Sequence, residues 1–181
     1  GAIHIFWVRK DDMEITTRIF EDDGSIPNNG RLPVILYKAA FGADKAQRPE
    51  SYEELFHGNN WKSSWRNGIF PYHHYHSTAH EVLGIYRGRA EVLLGGEAGE
   101  TFVLEAGDIA LLPAGTGHKN ISRSGDLEVV GAYPDAQSPD MNYGSPQERP
   151  EVLNRISRVP LPSQDPVSGT DAGSALREHW R

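Results

Sequence analysis

The chain has 181 residues, 38% of them apolar and 24% charged, with a formal net charge of −7 and no cysteine. That composition is globular, of a size for one domain with a sizeable core. It excludes disulfide frameworks, thiolate metal sites and thiol nucleophiles, and it offers no dense basic patch for nucleic acid. No apolar run approaches the roughly 20 residues that span a bilayer, so no membrane partner is expected. The apolar opening Ile3–Val8 has no basic flank or cleavage signal and does not read as a signal peptide. The expected location is cytoplasmic.

In chain order, Met13–Phe20 is a candidate strand, and Asp22-Asp23-Gly24 and Pro27-Asn28-Asn29-Gly30 are turn clusters. Pro33–Ala39 reads as a buried strand. Pro49–His57 is the one clear helix candidate, with Pro49 in the first turn, Glu50, Glu53 and Glu54 near the positive end, and Gly58 as a stop. From Trp61 to about Tyr133 short apolar runs alternate with turns. These are Glu81–Tyr86, Ala90–Leu94, Thr101–Leu104, Ile109–Leu112 and Leu127–Tyr133, separated at Arg87-Gly88, Gly95-Gly96, Gly107-Asp108 and Pro113. A turn every eight to twelve residues predicts an all-β sandwich or barrel. Seven of the 12 prolines follow Tyr133, and Val159-Pro160-Leu161-Pro162 suggests an extended tail wrapping the barrel. The organisation expected is a single domain over residues 1–181, with a barrel core at about 61–133, an N-terminal extension and a Pro-rich tail.

Four of the eight histidines fall within residues 73–80. Imidazole is the commonest protein metal ligand near neutral pH. On a strand, His74 and His76 face one side and His73 the other. Glu81 lies five residues past His76, the wrong parity for a straight strand. A turn or bulge at Ser77-Thr78-Ala79 would bring it to the same face. Without that turn, His80 would take its place, and the choice stays open. His118 arrives from a distant strand after the stiff segment Pro113–Gly117. His74, His76, Glu81 and His118 are therefore the candidate metal ligands. Three imidazoles and a carboxylate suit one divalent transition-metal ion among Mn, Fe, Co, Ni, Cu and Zn. The competing reading is a set of hydrogen-bonded core polar groups. His57 is expected at the surface, and His4 and His179 at the termini.

These residues carry a resemblance. Gly68, five residues, His74-Tyr75-His76, four residues, Glu81, six residues and Gly88 resemble the first motif of the cupin family. Gly107, five residues, Pro113-Ala114-Gly115, two residues and His118 resemble the second. The pattern then expects Asn where this chain has Ser122, with Asn120 two positions earlier. The string from Trp65-Arg66-Asn67-Gly68 through His80-Glu81-Val82-Leu83-Gly84 is similar to the YjlB-like branch. The resemblance implies a double-stranded β-helix, the jelly-roll barrel, with one ion at its mouth and commonly a homodimer. Ile3–Val8, with no evident partner in the barrel, is a candidate for pairing with a second copy.

Four protein ligands leave two positions open on a six-coordinate ion, which is catalytic rather than structural architecture. The function expected is a small metal-dependent enzyme acting on a small polar or acidic molecule, by oxygenase, isomerase or decarboxylase chemistry. A non-enzymatic binding or sensing module, or a storage-type oligomer, uses the same barrel. Tyr86 and Glu91 are weak candidates for further chemistry, and no catalytic residue is assigned. Trp61, Trp65 and Phe70 are candidates for the core or the rim. Arg66, Arg87, Arg89 and Lys119 could meet an acidic substrate but fit solvated strand ends as well.

Overall fold

The computed structural model describes residues 13–181. The Ile3–Val8 segment and His4 lie outside the described residues.

Among the described residues, nine strands form two antiparallel sheets. The larger sheet has the order β1 (Glu14–Arg18), β2 (Val34–Lys38), β7 (Ile109–Leu112), β4 (Glu81–Arg87), β9 (Glu128–Pro134) and β3 (Trp61–Asn67). The smaller has the order β6 (Glu100–Glu105), β5 (Arg89–Leu94) and β8 (His118–Arg123). Chain neighbours β4 and β5 lie in different sheets, linked at Gly88, whose φ of 74° suits the tight turn. The fold is the all-β jelly roll expected. No helix of the described residues is long and apolar enough to cross a membrane.

The larger sheet is covered on both faces, and its sequence shows why. In β4, Leu83 and Ile85 point between the sheets and pack with Val92, Leu94 and Leu104. Val82 and Tyr86 point the other way, into a second core with Tyr37, Tyr52 and Phe56. A strand buried on both faces reads as a continuous apolar run, as Val34-Ile35-Leu36-Tyr37 does. By contrast β5 alternates, with Ala90, Val92 and Leu94 buried and Arg89 and Glu91 exposed. Its outer face meets solvent.

The second core is closed by helices. α1 (Ala43–Ala46) leads to α2 (Pro49–Gly58), whose buried face is Tyr52 and Phe56. Tyr52 lies against Gly84, where an added Cβ would stand 2.3 Å from the ring. Its hydroxyl receives the Gly107 N–H at 2.9 Å and lies within reach of the Ala46 carbonyl at 2.7 Å. One ring thus joins helix, sheet and the turn before β7.

After β9 the chain wraps back over the molecule. α3 (Glu151–Arg158) is a helix the sequence reading did not place, and α4 (Ala175–His179) lies at the last residues. Asp165 is fully buried and accepts from the Tyr37 hydroxyl at 2.8 Å and the Leu176 N–H at 3.0 Å. Trp180 is buried too, with its indole N–H on the Pro33 carbonyl at 2.8 Å and its ring 4.7 Å from that of His80. The last residues therefore close the outer core.

Two stability outcomes follow. Gly84→Ala must displace Tyr52 and is expected to cost about 1–3 kcal/mol in urea unfolding, the usual penalty for overpacking. Trp180→Ala is expected to cost about 3–5 kcal/mol, as for a large aromatic truncated in a core. A neutral result for either would contradict the packing described.

Candidate metal centre

The segment His74–His76 is stitched on both sides. His74 exchanges backbone hydrogen bonds with His118, at 3.3 and 3.0 Å, and Tyr75 does so with Asn142, at 3.0 and 3.1 Å. Extended backbone then sends His74 and His76 into the barrel and Tyr75 away from it. The Tyr75 hydroxyl donates to Glu148 at 2.5 Å on the far side. His73 also faces outward, with Nε2 2.8 Å from Glu97.

Bends at Ser77 and Thr78 change the parity before β4. Glu81 opens that strand facing the barrel interior, on the side of Leu83 and Ile85. His80 faces the outer core instead. Its Nδ1 accepts from the Ala114 N–H at 2.9 Å, so the proton sits on Nε2, which meets the Pro160 carbonyl at 3.2 Å. Burial pushes this ring down to about 4, so it is neutral at pH 7. Glu81, not His80, reaches the cavity.

Three rings converge there. Nδ1 of His74 meets the Tyr72 carbonyl at 3.1 Å, that of His76 the Asp140 carbonyl at 2.6 Å, and that of His118 the Thr116 carbonyl at 2.9 Å. A carbonyl can only accept, so each Nδ1 carries a hydrogen, and in the neutral ring Nε2 keeps its lone pair. His74, His76 and His118 are all buried, and their donor atoms lie within 4.8 Å of one another, a group that could hold a metal ion. Glu81 Oε1 stands 3.3 Å from His76 Nε2 and 3.5 Å from His118 Nε2.

The electrostatics match this packing. Burial raises the Glu81 carboxyl, but the His118 and His76 rings outweigh it and hold the group well below the usual carboxylate range. His74 is pushed down to about 3 by burial and by its neighbour His118. His76 is opposed by burial yet held above its ordinary value by Glu81. The pocket thus contains an ionised carboxylate among rings that differ in basicity.

A further layer braces His76. The Ser77 N–H and hydroxyl both donate to the Asp140 carboxylate, the former at 2.6 Å. Arg155, on α3, donates to the Ser77 hydroxyl at 2.9 Å. Asp140 N–H returns to Thr78 at 3.0 Å. Asp140 lies more than 60 residues from His76, and no spacing in the sequence signals the contact.

The four groups line a cavity of about 190 Å³. Trp65 lies over Gly131, where a Cβ would sit 2.1 Å from the indole. Its N–H donates to the Tyr133 hydroxyl at 2.9 Å, and Tyr133 lines the cavity together with Glu81. Tyr133 was missed by the sequence reading, although its alternation with Gly131 and Val129 along β9 marks it as inward. Tyr86 and Glu91, suggested by sequence, do not reach the cavity: Tyr86 packs in the outer core and Glu91 is exposed on β5. Trp61 belongs to the outer core, while Trp65 and Phe70 line the cavity. Arg66 pairs with Glu53 at 2.7 Å, Arg87 with Glu128 at 3.7 Å and Lys119 with Glu97 at 3.1 Å. Arg89 lines a separate shallow groove. Asn120 turns inward and donates to the Ile69 carbonyl, tying β8 to the cavity wall.

Comparison with known proteins places the chain. The family model described as a cupin domain matches residues 66–131. An uncharacterised protein of Bacillus subtilis strain 168, YjlB, is 40% identical over 158 residues, 87% of this chain and 93% of the relative. An acireductone dioxygenase from Bacillus anthracis, solved with cadmium in its active centre, is 13% identical with a TM-score of 0.39, covering 77% of this chain and 90% of that one. The DMSP lyase DddQ of Ruegeria pomeroyi is 16% identical with a TM-score of 0.37, covering 76% of this chain. This chain spans about half the length of the DMSP lyase chains it matches, 46% and 54%. On the extent of its identity to YjlB and the match to the cupin model, the chain belongs to the cupin family, in its YjlB-like branch.

Proposed function

We propose that this cupin binds one divalent transition-metal ion through Nε2 of His74, His76 and His118 and the carboxylate of Glu81, and that it is a small metal-dependent enzyme acting on a small molecule. The observation that carries the reading is the fixed tautomer of the three rings. Each spends its Nδ1–H on a backbone carbonyl and turns Nε2 toward one point. Metal-bound histidines almost always donate the other ring N–H in this way. The donor set fits the group: three neutral nitrogens and one carboxylate are a borderline set suited to Mn, Fe, Co, Ni, Cu or Zn.

When bound, the ion would supply Lewis acidity of use in oxygenase, isomerase or decarboxylase chemistry. The chain's own residues do the rest. Asp140 and Ser77 hold the loop that carries His76. Tyr133 accepts from Trp65 and presents its hydroxyl on the cavity wall shared with Glu81. Trp65, Phe70 and Leu83 exclude water from one side of the cavity. We read residues 1–181 as one domain, supported by β2 lying inside the larger sheet and by Asp140 standing behind His76. A cytoplasmic homodimer is the assembly we propose, with support from the exposed Ile15 on edge strand β1.

The test is metal content. Wild-type protein, purified without chelator or a nickel column and dialysed, is expected to retain one ion per chain by elemental analysis. His118→Ala is expected to lower affinity at least tenfold and to lower the melting temperature in the presence of metal. His73→Ala, facing Glu97 outside the barrel, is expected to keep the wild-type content. Equal retention in the two variants, both folded by circular dichroism, would overturn the ligand assignment.

A further inference from the structure

Three neutral imidazoles and one carboxylate around a divalent ion leave one net positive charge. A monoanionic ligand cancels it, whereas a dianion leaves a negative charge over. Buried charge of that kind is costly unless a cation or several donors meet it. Among the described residues, no Lys or Arg lines the cavity. Arg66 is paired with Glu53, and Arg155 is engaged with Ser77 and Asp140. The neutral polar side chains lining the cavity are Asn67 and Tyr133, too few donors to offset a second buried negative charge.

The remaining wall is apolar: Trp65, Ile69, Phe70, Leu83 and Met141. Phe70 is 41% exposed at the mouth, and its ring stacks on Tyr72 at 5.0 Å with an interplanar angle of 11°. Tyr143 extends this rim, 6.0 Å from Tyr72 and 58% exposed. Aromatic rings left in solvent at a cavity mouth present flat, apolar faces to whatever enters. The cavity, at about 190 Å³, is smaller than the roughly 300–1,000 Å³ that drug-sized ligands occupy.

Resting on the metal reading above, we infer that the site takes a small monoanionic oxygen chelator with an apolar, planar tail, and discriminates against dicarboxylates, phosphates and polyols. The single negative charge is met by the one positive charge that the ion retains beside Glu81. The tail lies against Trp65 and Phe70. A second carboxylate or a phosphate would find no cation, and a polyol would leave most of its hydroxyls facing carbon.

The full chain, loaded with Co(II), is titrated with benzohydroxamate, acetohydroxamate and oxalate, followed by the visible absorption of the cobalt. Each affinity is expressed relative to that ligand's affinity for free Co(II). The hydroxamates share one monoanionic head and differ in the tail; oxalate is a dianion. Benzohydroxamate is expected to bind at least tenfold more tightly than acetohydroxamate. Phe70→Ala is expected to reduce that preference about threefold, in keeping with the loss of one aromatic contact. The relative affinity of oxalate is expected to fall at least tenfold below that of acetohydroxamate. Equal relative affinities for the two hydroxamates, or oxalate ranking first, would overturn the ligand class while leaving the metal centre standing. Failure of the chain to take up Co(II) would overturn the metal centre and the ligand class with it, and elemental analysis tells the two failures apart.

Discussion

A histidine ring whose Nδ1–H is tied to a carbonyl has one direction left in which to offer a lone pair. In this cupin three rings are tied so, to Tyr72, Asp140 and Thr116, and all three point Nε2 at the same space. Without those bonds, each imidazole could flip about χ2 or exchange tautomers, and preorganisation would be lost. The acceptors are backbone atoms, so the site depends on where the chain runs and not only on which side chains line it. Glu81 adds the carboxylate, kept ionised by the rings beside it.

Much of the fold serves to place those three carbonyls. Tyr72 and Thr116 lie two residues from the histidines they orient, so local chain geometry suffices for them. Asp140 comes from beyond the barrel, and the return path is held by Ser77, Thr78 and Arg155. The tail is also anchored on the opposite core through Asp165, Trp180 and the Pro160 contact to His80. Thus the segment after β9 acts as a buttress for His76 as well as a cover for the sheet.

The barrel was legible because short apolar runs and Gly turns recur at strand spacing, and because the two motifs lie in the expected order. The four cavity groups were legible from strand parity, once Ser77-Thr78 was read as a turn. That turn decides between Glu81 and His80, and alternation alone left the matter open. Tyr133 could have been read from its parity with Val129 and Gly131. Helix α3 carried a short-range signal: Pro150 before it, Glu151 in its first turn, Arg155 and Arg158 in its last, and Val152 and Ile156 four apart. Its length of eight residues hid it in a Pro-rich tail. Asp140 behind His76, and Trp180 against His80, were not legible. Each is a contact between distant segments with no periodicity to announce it.

X-ray absorption at the edge of the bound metal tests the central claim most directly, because outer-shell scattering counts imidazole rings. The account predicts nitrogen and oxygen neighbours at about 2.0–2.2 Å and a multiple-scattering pattern fitted by three imidazoles, reduced to two in His118→Ala protein reloaded with excess metal. A first shell without imidazole scattering, or the same ring count in wild type and variant, would contradict it.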